Sequence, residues 1–284
     1  MNNVNHIRRN RPWLHTLRAF AAAGAIGIVA GGCATAISPE QEAQIGAQSA
    51  ADINSKLPIV RDATLNNYIN SLGSQIAGHG QRHIGYRFYI VNSNAVNAFA
   101  VPGGYVYVNR GLIERTTNAS ELVGVLAHEI EHVELRHSVQ QMEQMQKANI
   151  GVALASILLS KSSAGVQQAA GTAVNVAGSA YFAKFSRQDE MEADEGAVPL
   201  MVSSGYNPNG LTTMFQKLLA EGQRSPSSVE QWFSTHPTTQ DRVANSQRLV
   251  SAVPAATRSR LSTDTKAFQS FKSRMRSYSP RATD

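Results

Sequence analysis

The chain has 284 residues, of which 42% are hydrophobic and 16% charged, so it can bury a sizeable core, and low-complexity disorder is excluded for most of it. The formal net charge of +6 would suit a protein that binds nucleic acid. A single cysteine excludes an internal disulfide and a zinc site built from four thiolates. Any metal ion would therefore be held by histidine and carboxylate side chains.

Residues 1–32, the first segment in chain order, predict an export signal. Four arginines precede an uncharged apolar stretch from Ala19 to Gly32, which is shorter than the ~20 residues of a membrane-spanning helix. Without this segment the chain has 22 basic and 20 acidic residues. Residues 33–254 alone have 15 basic and 18 acidic residues, so we drop the nucleic-acid interpretation.

Cys33, the only cysteine, lies where this signal is expected to end. The run from Ile28 to Cys33 resembles the lipobox of bacterial lipoproteins, although Ala30 stands where a larger aliphatic residue is usual. The resemblance implies that Cys33 becomes the lipidated first residue, and Ala34 after it favours the outer membrane of a Gram-negative bacterium. Its acyl chains would hold the protein at the periplasmic face without a spanning helix. The alternative is an ordinary buried cysteine in an N-terminal hydrophobic helix.

The next part of the chain predicts two helices and a small sheet. Amphipathic spacing predicts helices over residues 38–57 and 62–78, which we expect to pack together. A tight turn at Pro102-Gly103-Gly104 is flanked by β-branched and aromatic residues. These residues predict three short strands, Tyr86–Val91, Phe99–Val101 and Tyr105–Val108.

The strongest motif is His128-Glu129-Ile130-Glu131-His132, in a helix predicted to begin with a capping box of Asn118 and Glu121. Imidazoles at positions i and i+4 project from one helix face, so a single Zn²⁺ can bind both. Glu129 is placed to take a proton from a water at that ion without being a ligand itself. The number of chance matches expected in such a chain is on the order of 0.01, which disfavours a merely solvated helix face.

A catalytic zinc site needs a third protein ligand and one open position. The next histidine is His137, five residues after His132, and on a continuous helix it points about 140° away. We therefore interpret His137 as a structural residue or as a partner of the ligands. The other source of a third ligand is a carboxylate on another helix.

Residues 186–194 predict such a helix, with Ser186 at its N-cap and acidic residues in its first turn. Glu190 and Asp194 share one face, as suits a ligand and an acceptor for an imidazole N–H. Glu192 and Glu195 point elsewhere. Spacing alone does not choose Glu190 over the neighbouring acids, because acidic first turns often serve only as caps.

H-E-x-x-H followed by S-R-x-x-E-x-E-A-D resembles the HtpX-like and BepA-like family of zinc metalloendopeptidases, over roughly Pro39–Val250. The similarity includes residues 97–104 before the motif, and His236-Pro237 and Arg242 after it. The resemblance implies a predominantly helical α+β fold, a gluzincin zinc-peptidase domain with a small β-sheet next to the active-site helix. It implies one Zn²⁺ per chain, with His128, His132 and Glu190 as its ligands. Glu129 would be the general base, and Asp194 a supporting carboxylate.

The resemblance also implies residues that handle the substrate. Residues 97–107 would form an edge strand beside the cleft and hold an extended peptide by strand addition, whereas the alternative is a plain core hairpin. The substrate-binding residues would be Asn97, Ala98, Phe99 and Ala100. His236 would approach the zinc or donate to the oxyanion, whereas the alternative is a structural loop histidine.

Two segments remain. Residues 150–180, rich in Ala and Gly, predict a buried or lid-forming helical pair, since their purely apolar part is too short to span a bilayer. Residues 255–284 have seven basic and two acidic residues. We interpret them as a solvated basic tail with a weak indication of contact with phosphate or lipid headgroups.

These observations predict a lipoprotein signal peptide (1–32), a zinc metallopeptidase domain (33–254) and a basic C-terminal tail (255–284). The resemblance implies cleavage of misfolded or misassembled envelope proteins at the periplasmic face. The outer-membrane assembly machinery is a candidate partner, although no helical-repeat domain follows the catalytic part in this sequence. One alternative is a chaperone-like or scaffolding lipoprotein that binds without cleaving, which would leave the base Glu129 without a purpose. A peptidoglycan or ester hydrolase is the other.

Overall fold

The computed structural model describes residues 36–147 and 184–278. The expected signal peptide, the lipidation site Cys33 and the helical pair over residues 150–180 lie outside the described residues. Within the described ranges, no helix is both long enough and apolar enough to cross a membrane.

The two helices expected before the sheet are present, α1 at Pro39–Lys56 and α2 at Ala63–Ala77. α1 begins with a capping box at Ser38 and carries its proline in the first turn, where the missing N–H costs nothing. α2 begins after Asp62, whose side chain accepts a hydrogen bond from a backbone N–H of the first turn. Both starts follow from the local sequence.

The predicted strands are confirmed to within about a residue, as β1 (Arg87–Val91), β2 (Ala98–Val101) and β3 (Tyr105–Asn109). In the part of the chain that the structure describes they form a three-stranded sheet in the order β1-β3-β2. β3 runs parallel to β1 and antiparallel to β2. At the turn between β2 and β3, Gly103 and Gly104 have φ of 77° and 88°, a region that favours glycine.

The sheet separates α1 from α2, and this corrects the expectation that the two helices pack together. Successive side chains of a strand point to opposite faces. On one face of the sheet, Tyr107 packs with Ile53 of α1. On the other face, Val106 and Ile69 of α2 belong to a larger hydrophobic cluster, which we call the main core. Amphipathic spacing shows that each helix has an apolar side, but it does not show which face of the sheet that side covers.

α4, at Ala119–Glu134, is the central helix of the main core and packs against α2, β2 and two later helices, α5 (Arg187–Ser203) and α6 (Asn209–Arg224). Its approach to α6 is close, because a Cβ on Gly210 would come within 2.3 Å of the Ser120 backbone. α4 ends two residues before a further helical stretch over 137–147. The remaining helices are α3 (Arg110–Arg115), α5 (Arg187–Ser203), α6 (Asn209–Arg224), α7 (Pro226–Thr235), α8 (Gln240–Ala252), α9 (Ala255–Arg258) and α10 (Lys266–Ser277).

The C-terminal segment is packed where we expected a solvated tail. α10 contributes Phe268, Phe271 and Met275 to the main core and lies against α2 and α3. Its exposed face carries Lys266, Arg274 and Arg276, whereas Lys272 is buried. The segment is an amphipathic helix, and counting its charges alone concealed the apolar face. The boundary placed at residue 254 stays a prediction.

Candidate active site

α4 presents the H-E-x-x-H motif to the interior of the protein. Its predicted N-cap is confirmed, since the Asn118 side chain accepts the N–H of Glu121 at 3.1 Å. The Glu121 carboxylate accepts in return from the N–H of Thr117 at 2.7 Å, one residue earlier than in the expected box. The motif residues are almost fully buried: His128, Glu129 and His132.

Three side chains face a common point between α4 and α5. The Nε2 atoms of His128 and His132 are 3.1 Å apart, and the two carboxylate oxygens of Glu190 lie 3.6 and 3.5 Å from them. Around a tetrahedral Zn²⁺ with bonds of ~2.0–2.1 Å, neighbouring ligand atoms are about 3.3 Å apart. The three groups therefore have the chemistry and the spacing of ligands to one zinc ion. The spacing of the sequence left open which acidic residue of α5 would be the third ligand. In the structure it is the carboxylate of Glu190 that faces the Nε2 atoms of both His128 and His132.

His236, which follows α7, lies at the remaining corner of this cluster. Its Nδ1 is 3.0 Å from Glu190 Oε1 and 3.4 Å from His128 Nε2, while its Nε2 is 3.4 Å from Glu129 Oε1. One donor atom from each of His128, His132, Glu190 and His236 lies within 4.8 Å of the others. A lone histidine in a loop has no periodicity that could have placed it here, so only the resemblance pointed to it.

Asp194 and Arg242 lie behind the candidate ligands. Asp194 Oδ1 lies 2.9 Å from His128 Nδ1, the ring nitrogen that faces away from the common point. Arg242, from α8, donates to both carboxylate oxygens of Asp194 at 2.7 and 2.8 Å and to Glu190. It also donates to the carbonyl of Pro237 at 3.2 Å, which ties the His236 loop to α8. The sequence analysis placed Arg242 in the resemblance but gave it no role.

Burial and neighbouring charges shift the pKa values of this cluster. It raises the pKa of Glu129, and neither carboxylate oxygen of Glu129 has a hydrogen-bond partner among the described residues. Burial lowers the pKa of His132 well below its usual value. It also acts to raise the pKa of Glu190, but His236 and Arg242 outweigh it and hold that pKa well below the usual range. A neutral imidazole and an ionised carboxylate are the forms that bind a divalent metal.

His137 corrects one assumption made from the sequence. α4 ends at Glu134, and Arg136 has φ of 58°, so the helix does not continue and the 140° rotation does not apply. His137 instead returns to His132, with the two Nδ1 atoms 2.8 Å apart. It remains outside the group of four donors. Glu192, which we expected to point elsewhere, lies 3.3 Å from His137 Nε2.

The expected substrate-binding segment lies next to α4. β2 is at an edge of the sheet and packs against α4. All four residues named from the resemblance, Asn97 to Ala100, are buried. Among the described residues, neither polar atom of the Asn97 amide has a hydrogen-bond partner. The role of this segment in holding a peptide stays a prediction.

Comparison with known proteins places this arrangement among peptidases. The sequence pattern of the family described as "Peptidase family M48" matches residues 61–250, a range that contains all the residues of the cluster. The chain is 33% identical over 216 residues to the Beta-barrel assembly-enhancing protease of Escherichia coli K12, covering 74% of this chain and 44% of that protein. It is 30% identical over 232 residues to Metalloprotease LoiP of the same organism, covering 77% and 84%.

A eukaryotic protein is also similar. The chain is 30% identical over 169 residues to Mitochondrial metalloendopeptidase OMA1 of Schizosaccharomyces pombe, covering 59% of this chain and 48% of that protein. The chain spans less than half the length of the first curated relatives that it matches.

Proposed function

The chain belongs to peptidase family M48, and from that premise we propose that it is a zinc metalloendopeptidase acting on proteins of the cell envelope. The observation that carries the proposal is the position of Glu129. This carboxylate is fully buried beside the candidate ligands, and among the described residues neither of its oxygens accepts a hydrogen bond. A structural zinc site has no use for such a base, whereas hydrolysis requires one.

Each side chain of the cluster has a part in the proposed reaction. His128, His132 and Glu190 would hold the Zn²⁺ ion, which when bound supplies Lewis-acid activation of a peptide carbonyl and of water. Glu129 would accept the proton of the attacking water and deliver it to the leaving amine. A catalytic zinc site keeps one corner open. His236 Nδ1 lies at that corner, so we propose that His236 withdraws from it when a substrate binds.

Envelope proteins are proposed as substrates for two reasons. Similarity to the Beta-barrel assembly-enhancing protease supports misassembled envelope proteins as substrates and the outer-membrane assembly machinery as a partner. The lipobox-like sequence ending at Cys33 supports a lipid anchor and a position at the periplasmic face of the outer membrane of a Gram-negative bacterium. The peptide would lie along Asn97–Ala100, by strand addition to β2.

The decisive experiment compares purified residues 34–284 with the Glu129→Gln variant. We expect one zinc per chain in both proteins and cleavage of casein by the wild type. The variant should cleave about 10²–10⁴-fold more slowly, because it keeps the ligands and loses the base. Glu195→Gln, at an exposed position of α5, is the matched control and should cleave like the wild type. A wild type without metal, or undiminished cleavage by Glu129→Gln, would refute the proposal.

A second candidate function is a chaperone-like lipoprotein that binds envelope proteins without cleaving them. The observation that favours it is the fourth donor, His236, because four protein ligands are typical of a closed structural zinc site. Under this alternative, unfolded substrates would bind with equal affinity to the wild type and to Glu129→Gln, and neither would release peptides. Detection of peptides from the wild type alone excludes it.

The lipid anchor has a separate test. The full chain and its Cys33→Ser variant would be expressed in a Gram-negative bacterium supplied with a labelled fatty acid. We expect label in the wild type, recovered with the outer membrane, and none in the variant. Equal labelling of the two proteins would contradict the anchor without bearing on the peptidase activity.

A further inference from the structure

We propose that His137 and Glu192 are positioning residues that fix the orientation and the proton of the metal ligand His132. The inference rests on the proposed zinc site and adds to it a hydrogen-bonded chain from the ligand to the protein surface. The chain has two links. His132 Nδ1 and His137 Nδ1 are 2.8 Å apart, and His137 Nε2 is 3.3 Å from Glu192 Oε2.

The first link follows from how a neutral imidazole binds a metal. His132 turns Nε2 toward the common point, so its proton is on Nδ1 and needs an acceptor. In the described part of the chain, the ring nitrogen at hydrogen-bond distance from that Nδ1 is His137 Nδ1. His137 is itself buried, and as the acceptor it carries its own proton on Nε2. Glu192 then accepts from that nitrogen, and one arrangement of protons satisfies all three side chains.

The backbone at Arg136 and the neighbouring ring of Phe185 hold this arrangement in place. The left-handed Arg136, an uncommon conformation for a residue other than glycine, turns the chain so that His137 faces His132. Arg136 is tied in place by donating to Glu42 at 2.8 Å and to the carbonyl of Ile37 at 2.6 Å. On the other side of His132 the Phe185 ring stacks on the imidazole at 4.0 Å between centroids.

Each of the two histidines proposed to bind zinc is thereby connected to a carboxylate, but in a different way. Nδ1 of His128 lies 2.9 Å from Oδ1 of the buried Asp194. His132 reaches Glu192 through the intervening ring of His137, and the Glu192 side chain is 43% exposed. Gln188 donates to the other oxygen of Glu192 at 2.8 Å and orients the carboxylate. Glu192 does not share the face of α5 that carries Glu190, so it is not placed to bind the metal. It is placed to contact His137.

The test separates the two nitrogens of His137 by substitution. Asparagine places its amide near the Nδ1 position, and glutamine places its amide near Nε2. We expect His137→Asn to retain zinc within about threefold of the wild type, whereas His137→Gln and His137→Leu should lose about 10–100-fold in zinc affinity. Affinity is measured by competition with a chromophoric chelator. The d–d absorption of Co²⁺-loaded protein reports the ligand geometry, and it should shift in the last two variants alone.

Glu192→Gln tests the second link at a surface position, where folding is not endangered. It should weaken zinc binding, though less than His137→Leu, whereas Glu195→Gln should leave zinc affinity and the Co²⁺ spectrum unchanged. Equal zinc affinity for His137→Asn and His137→Leu, or for Glu192→Gln and Glu195→Gln, would overturn the inference. A wild type that binds no zinc would instead refute the proposed function, so the two failures are distinguishable.

Discussion

At the scale of single residues, the candidate metal centre concentrates charge in the protein interior. Glu129, Glu190 and Asp194 are all fully buried carboxylates, and Arg242 is the buried guanidinium that contacts two of them. Buried charges are tolerated only when they are paired and hydrogen-bonded. The geometry of Glu190, the proposed ligand, and of Asp194 therefore depends on Arg242.

Arg242→Gln should lower the free energy of unfolding by about 3–5 kcal/mol, because it leaves two buried carboxylates without their cation. Arg248→Gln is the matched control on the same helix. Arg248 is exposed and lies 3.9 Å from Glu195, so its loss should cost less than about 1 kcal/mol. Denaturant titration of both variants, followed by circular dichroism, measures the difference. Equal midpoints with equal slopes would contradict this account of Arg242.

His236→Ala should raise the rate of casein cleavage at saturating zinc and lower zinc affinity. The physical reason is that His236 Nδ1 lies at the corner that a catalytic zinc site keeps open for water. Initial rates over a series of free zinc concentrations separate the two effects. A fall in turnover at saturating zinc, as expected for Glu129→Gln, would instead assign His236 to stabilising the oxyanion.

At the scale of elements, the features that could be predicted are those set by neighbours in the chain. The strands, the turn at Gly103 and Gly104, and the starts of α1, α2 and α4 depend on local spacing and caps, and they lie where the sequence predicted. The side of the sheet that α1 covers depends on contacts with residues distant in sequence. The break at Arg136 had no glycine or proline to signal it, so helix spacing could not predict the contact between His137 and His132, although a partner of the ligands was one of the two interpretations of His137.

α10 shows the same limit, and its place in the core can be tested. Phe268→Ala should lower the free energy of unfolding by about 3–5 kcal/mol, since this ring is fully buried in the main core. Ser270→Ala, at an exposed position of the same helix, should change it by less than about 0.5 kcal/mol. Chemical denaturation of both variants provides the measurement. An equally small effect of the two would restore the solvated tail that the charge count suggested.

At the scale of the whole molecule, the candidate site joins segments that are far apart in the sequence. α4 provides His128, His132 and the proposed base Glu129, α5 provides Glu190 and Asp194, and the residues from His236 to Arg242 close the cluster. The motif could be found in the sequence because two of the proposed ligands and the proposed base lie within one helical turn and a half. Glu190 could not be chosen by spacing, because its selection depends on how α5 packs against α4.

A metal ion held by side chains from several segments should couple metal binding to global stability. An ion that binds only the folded state stabilises that state by about 2.7 kcal/mol at a free concentration 100 times its Kd. Thermal unfolding in a series of zinc buffers should therefore show a melting temperature that rises with free zinc and falls after chelation. Glu129→Gln should show the same zinc dependence as the wild type, because the base is not a ligand. Glu190→Gln should need far more zinc for the same rise, and an unchanged dependence in that variant would remove Glu190 from the ligand set.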